Sequence, residues 1–301
     1  MIWFFFLIGF ACTAQNSSYS LADEAQWRSQ SHEIAQKYII VDGHVDLPYR
    51  LKVKNFRLDK EYIGIPISTE EGDFDYNRAK MGGLDAPFMS IYIPSSVEID
   101  EAKLYADQLI DMINGIVKTH PDYFANANSP EEIRNNFKKG LISLPFGMEN
   151  GSPIGNDIKN VDYFHSRGIR YITLTHSKDN QICDSSYDPS QKWGGLSPFG
   201  KQVVKRMNEV GIMIDVSHIS DRTFYQVMEL SKAPVIASHS SCRKFTPGFE
   251  RNMSDDMIQL MGQKGGVIQI NFGSTFLDGG LAKKRDSIMN ILEKQLSENG
   301  L

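Results

Sequence analysis

Seven short apolar runs, each followed by a stretch with helical character, set the tightest limit on how this 301-residue chain can fold. The runs are Tyr38–Val41, Phe88–Ile93, Leu141–Phe146, Arg170–Leu174, Ile212–Val216, Pro234–Ala237 and Val267–Phe272. Most are continuous in Val, Ile and Leu rather than alternating, the pattern of strands covered on both faces. Between them, Leu109, Ile113, Ile116 and Val117 fall at i, i+4, i+7 and i+8, which predicts a helix with one apolar face. Ser129-Pro130-Glu131-Glu132 reads as a capped helix start, and Gly140 as its stop. Strand and helix in steady alternation imply βαβ units and a parallel sheet.

Residues with metal-binding chemistry decide between an open sheet and a closed one. His44 and Asp46 follow the first run, Glu149 the third, His218 the fifth and His239 the sixth. A doubly wound sheet gathers its site at one switch point, whereas a barrel gathers residues from every strand end. The expected fold is therefore α/β, a (β/α)₈ TIM-like barrel. After Phe272 no eighth run is visible, since Asp278 to Leu301 reads as loop and one amphipathic helix. The expectation is a barrel whose eighth strand is missing, in a chain cut short at its C-terminus. The connection from Ser177 to Phe199 reads as a rim loop, and the loop-rich stretch from Lys52 to Met81 as a further wall of the site.

Composition narrows the partners. The net charge is -5 with no basic arm, which excludes nucleic acid as the main partner. The apolar stretch from Met1 to Ala11 is too short to span a bilayer and resembles the apolar core of a secretory signal. Residues 1–18 are thus expected to be a signal peptide or lipoprotein leader, with the barrel occupying 19–301. Cys12 preceded by Ala11 suits a lipid anchor, although Gly9 and Phe10 fit a lipobox poorly. The protein is expected to be exported, either periplasmic or held at a membrane as a lipoprotein, and a homodimer stays open. Cys183 and Cys242 are expected to be free thiols.

Each candidate residue has a chemical reason. In His44-Val45-Asp46, residues two apart on a strand point the same way, so an imidazole and a carboxylate can share one ion. Glu149 can bridge two metals through its two oxygens. Asp215-Val216-Ser217-His218 and Ile236-Ala237-Ser238-His239 end consecutive strand candidates, so two imidazoles can grip one ion. His176 ends the fourth run and suits a hydrogen-bond donor to a substrate oxyanion. Arg251 carries a fork that could clamp a substrate carboxylate. His32, His120 and His165 lie in polar contexts and are read as surface residues.

These stretches, with Val41-Asp42-Gly43, Gly147-Met148-Glu149-Asn150-Gly151, Leu174-Thr175-His176 and Arg251-Asn252-Met253-Ser254, resemble the membrane (renal) dipeptidase family of binuclear zinc peptidases. The resemblance runs in order across residues 38 to 272. It implies two zinc ions per chain: His44 and Asp46 on one, His218 and His239 on the other, Glu149 bridging. It further implies that His176 and Arg251 contact a bound dipeptide. The expected reaction is dipeptide hydrolysis by a metal-bridged hydroxide, with broad specificity that extends to a C-terminal D-residue. A further Asp on the family's last barrel strand has no counterpart before Leu301. Two alternatives stand beside this reading: a truncated, non-catalytic product, and another amidohydrolase acting on cyclic amides or esters.

Overall fold

The computed structural model describes residues 21–53, 66–69, 72 and 74–298. The expected leader and Cys12 lie outside the described residues. The strands in chain order are β1 (Ile40–Val45), β2 (Leu84–Tyr92), β3 (Phe124–Asn126), β4 (Ile142–Leu144), β5 (Phe146–Glu149), β6 (Ile169–Thr173), β7 (Met213–Asp215), β8 (Ile236–Ser240) and β9 (Val267–Ile270). The helices are α1 (Leu21–Lys37), α2 (Leu47–Val53), α3 (Tyr76–Gly82), α4 (Ile99–Thr119), α5 (Pro130–Lys138), α6 (Lys159–Ser166), α7 (Pro198–Val210), α8 (Asp221–Leu230), α9 (Asp255–Gln263), α10 (Ser274–Leu277) and α11 (Gly279–Glu298).

Seven strands form one parallel sheet in the order β1-β2-β5-β6-β7-β8-β9. All its pairings are parallel, and helices cover its outer face. The sheet curls until its first strand meets its penultimate one: a Cβ on Gly43 of β1 would lie 2.6 Å from the Ser238 carbonyl of β8. This is a TIM-like barrel lacking one strand. No eighth strand joins the sheet among the described residues, so β1 and β9 keep open edges. Ile40, Val41, Val267, Ile270 and Phe272 are exposed along them.

The third apolar run of the sequence divides in the structure. Ile142–Leu144 pairs with β3 in a separate two-stranded sheet, and the barrel strand begins only at Phe146. Pro145 sits at the break. It has no N–H to give to a ladder, yet its carbonyl accepts from Met89 N at 2.8 Å, which starts the pairing of β5 with β2. Glu149 consequently lies on the barrel strand itself rather than beyond it.

Elsewhere the local chemistry acts as the sequence suggests. Ser129, Ser197, Ser220 and Ser254 each cap a helix by accepting the backbone N–H three residues on. Leu109, Ile113 and Ile116 of α4 are buried in the core. Ser177 to Ser197 forms an irregular loop ahead of α7, tied down where Asp184 accepts from Trp193 N and Gly195 N. Cys183 and Cys242 are free thiols. No helix among the described residues is long and apolar enough to cross a membrane.

Gly147 shows how tightly the barrel interior is filled. A Cβ there would fall 1.9 Å from Cζ of the fully buried Tyr171 ring on the neighbouring strand. That ring cannot swing away, because its hydroxyl donates to Gly43 O at 2.9 Å across the barrel. Gly147→Ala is expected to destabilise the fold by about 1–3 kcal/mol through overpacking. Urea unfolding measures this, and an unchanged midpoint would contradict the packing argument.

Candidate functional site

The register of the strands sets one level across the barrel. Tyr92 of β2 aligns with Glu149 of β5, Glu149 with Thr173 of β6, and Thr173 with Asp215 of β7. The histidines arrive at this level from different strand ends. His44 is within β1, His239 within β8, and His176 and His218 each lie three residues past their strands. His218 reaches inward through a left-handed backbone with φ of 69°, a conformation rarely adopted by a non-glycine residue and frequent at functional sites.

Glu149 is the meeting point. Its carboxylate is buried, with Oε1 at 3.0 Å from His218 Nε2, 3.1 Å from His239 Nε2 and 3.6 Å from His176 Nε2. Oε2 lies 3.4 Å from His44 Nε2 and accepts from Ser90 Oγ at 3.3 Å. The rings crowd one another, with His44 stacked on His239 at 3.8 Å between centroids and His176 at 4.2 Å from His218. Two groupings have metal-holding geometry: His44 with Glu149 and His239, and Glu149 with His176 and His218. The pair expected from the sequence to share an ion is also brought together, with His218 Nε2 and His239 Nε2 2.9 Å apart. Asp46 stands at the margin, its side chain 59% exposed and its Oδ1 3.2 Å from His44 Nε2.

Arg251 is buried beside this cluster rather than free at the rim. Nη1 donates to Ser240 Oγ and Nη2 to His239 O, both at 2.7 Å, and the guanidinium lies 5.4 Å from the centre of the Phe276 ring. Its Nε is buried without a partner, as are the Nδ1 atoms of His176 and His218. The cluster opens into a cavity of about 1150 Å³. Tyr49, Tyr92 and Phe74 wall one part of it, while Arg251, Phe272 and Phe276 wall another. His32 is exposed, His120 and His165 are half-buried, and none of the three lines the cavity.

Burial and charge split the imidazoles. Burial, aided by the positive Arg251, holds the pKa of His218 well below its ordinary value. Burial aided by His44 lowers that of His239 to about 4. His176 is likewise lowered, chiefly by burial. At His44 burial opposes the charged form, but the Glu149 and Asp46 carboxylates outweigh it and push the pKa up to about 10. Burial alone would raise Glu149. The His44 charge and the hydrogen bonds from His218 and His44 instead hold it well below the usual carboxylate range.

Several residues of the site have no counterpart among the candidates read from the sequence. Tyr171 sends its hydroxyl to within 3.1 Å of His44 Nδ1, and Ser238 Oγ lies 2.7 Å from His239 Nδ1. Asp215 is fully buried behind Ser238. A tyrosine or an aspartate inside an apolar strand run is the available signal, because each must find a polar partner when buried.

The chain matches the membrane dipeptidase family, peptidase family M19, over residues 28–296. It belongs to that family. Dipeptidase verJ of Clonostachys rogersoniana is 33% identical over 247 residues, covering 77% of this chain and 62% of the relative. The structure is similar to that of the probable dipeptidase PvdM from Pseudomonas aeruginosa, with a TM-score of 0.73, 30% identity, and coverage of 82% of this chain and 63% of that one. It is also similar to dipeptidase AC, a metallopeptidase of family M19, with a TM-score of 0.73, 25% identity, and coverage of 80% and 74%. The chain spans about three fifths of the length of the curated relatives it matches.

The raised pKa at His44 yields a linkage prediction for the chelator-treated protein. Because the folded value lies above the unfolded one, the stabilising contribution is complete below about pH 6.5 and is lost as pH climbs through about 10. Glu149→Gln should bring the His44 titration, followed by imidazole NMR, back toward its ordinary value and flatten stability across that window. A His44 titration indifferent to this substitution would show that Glu149 does not set its charge.

Proposed function

We propose that this chain hydrolyses dipeptides, using two zinc ions held by His44 and Asp46 on one side, His218 and His239 on the other, and Glu149 between them. The observation that carries this reading is the convergence of four imidazoles on the two oxygens of one buried carboxylate. The donor set fits the ion. His218 Nε2 and His239 Nε2 face each other at 2.9 Å, and burial favours the neutral, ligand-competent form of both rings. Bound zinc supplies Lewis acidity and lowers the pKa of water toward ~7. The relatives named dipeptidases support the substrate class.

The chain's own residues supply binding and orientation. Arg251, fixed by Ser240 and the His239 carbonyl, presents its remaining N–H groups to the carboxylate end of a dipeptide. A second peptide bond beyond that carboxylate would have to displace the clamp, which limits substrates to dipeptides. Recognition through the carboxylate leaves the neighbouring side chain unread, and a cavity of about 1150 Å³ leaves room for either hand at that carbon. This is the basis for expecting broad specificity that includes a C-terminal D-residue. His176, kept neutral by burial, retains one ring N–H, which can donate to the carbonyl oxygen as negative charge develops there. Export belongs to the same proposal, on the apolar stretch before Cys12.

His218→Ala should reduce zinc-dependent hydrolysis of dipeptides to background. Arg251→Ala should raise KM for dipeptides by about 10- to 100-fold, the value of a lost charge-assisted hydrogen bond, and leave uncharged dipeptide amides unaffected. Full activity in His218→Ala would refute the metal-assisted mechanism. Equal effects of Arg251→Ala on dipeptides and amides would refute the carboxylate clamp and favour a substrate without a free carboxylate.

A further inference from the structure

The hydrogen bonds behind His239 have a direction, and that direction determines which of its ring nitrogens carries the proton. Asp215 is completely buried and takes four hydrogen bonds, all donated to it. Oδ1 accepts from the backbone N–H groups of Ser217 at 3.1 Å and Ser238 at 2.9 Å. Oδ2 accepts from the hydroxyls of Thr173 at 2.5 Å and Ser238 at 2.6 Å. The single hydroxyl proton of Ser238 is therefore committed to Asp215. Its oxygen has only lone pairs left for His239 Nδ1, 2.7 Å away, so Nδ1 must be the donor. In a neutral imidazole this leaves Nε2 with its lone pair, and Nε2 is the atom facing Glu149 Oε1 at 3.1 Å.

We propose that Asp215 is a positioning residue that, through Ser238 Oγ, locks His239 in the Nδ1–H form and keeps the Nε2 lone pair aimed at the metal site. This rests on the metal reading given above. His218 and His176 have nothing equivalent, since both of their Nδ1 atoms are buried without a partner. The relay also explains why a carboxylate sits inside the short apolar strand β7 with no place in the cavity. A hydroxyl alone at Ser238 could either give or take a proton, whereas a carboxylate behind it removes that choice. Hydrogen-bonded partners of this kind orient metal-ligating histidines and raise their basicity.

Asp215→Asn tests the direction without changing the shape. The two backbone N–H groups can only donate, so the amide oxygen must stay on their side. The new NH₂ then faces the Thr173 and Ser238 hydroxyls, both of which can accept. Ser238 is left to donate its proton to His239 Nδ1, which moves the ring proton to Nε2 and removes the lone pair from the site. In ¹⁵N-histidine NMR of the chelator-treated full chain, His239 should be protonated at Nδ1 in the unaltered protein and at Nε2 in Asp215→Asn. Zinc affinity, measured by competition with a chromophoric chelator, should fall by about 10- to 100-fold. Ser238→Ala, which removes the link while leaving Asp215 in place, should abolish the Nδ1–H preference and weaken zinc similarly.

A His239 proton on the same nitrogen in the unaltered protein and in both variants would overturn the relay. So would a tautomer switch with unchanged zinc affinity. Failure of the unaltered chain to take up zinc at all would instead overturn the metal reading, and the NMR comparison would separate that outcome from a failure of the lock.

Discussion

A carboxylate buried among four imidazoles is costly to assemble. Glu149 loses its water inside the barrel, and that cost is offset only if hydrogen-bond donors and positive charge reach it from several directions at once. The sheet meets this demand because consecutive parallel strands all point the same way. His44 comes from β1, Glu149 from β5, His176 from beyond β6, His218 from beyond β7 and His239 from β8. The tight interior follows from the same requirement. Gly147 leaves space for the Tyr171 ring, whose hydroxyl reaches both Gly43 O and His44 Nδ1. Stability and chemistry thus draw on the same side chains, and core substitutions near Tyr171 should alter both.

The fold was largely legible because parallel strands covered on both faces produce continuous apolar runs. Each of the seven runs in the sequence overlaps a strand of the barrel sheet. The failure at Leu141–Phe146 has a local cause: apolarity does not reveal that Pro145 divides one run between two sheets. Strand β2 also begins earlier than its apolar run, at Leu84, because Asp85 interrupts the pattern while accepting from Ile40 N at 3.0 Å. In the capped helix start, Glu132 accepts from Asn128 N rather than from the backbone of Ser129. Such one-residue offsets leave no trace in composition.

Among the site candidates, ligand-type residues at strand ends were visible because their chemistry is unusual there. Their partners were not. Asp215 and Ser238 stood inside quoted motifs, yet only the three-dimensional arrangement shows the hydroxyl proton of one committed to the carboxylate of the other. The sequence marks Arg251 as a fork for a carboxylate, but its burial against Ser240 and His239 O becomes evident only once the loop after β8 is folded back. β1 and β9 are the outermost strands of the sheet among the described residues. Both line the same cavity as the histidine cluster.

In the proposed site, Glu149 would join two metal ions at the mouth of this barrel. Anomalous X-ray diffraction at the zinc edge, on crystals of the zinc-loaded protein, tests it most directly. Two peaks are expected about 3.5–4 Å apart, each within about 2.2 Å of a different Glu149 oxygen. A single peak, or peaks that bypass Glu149, would contradict it.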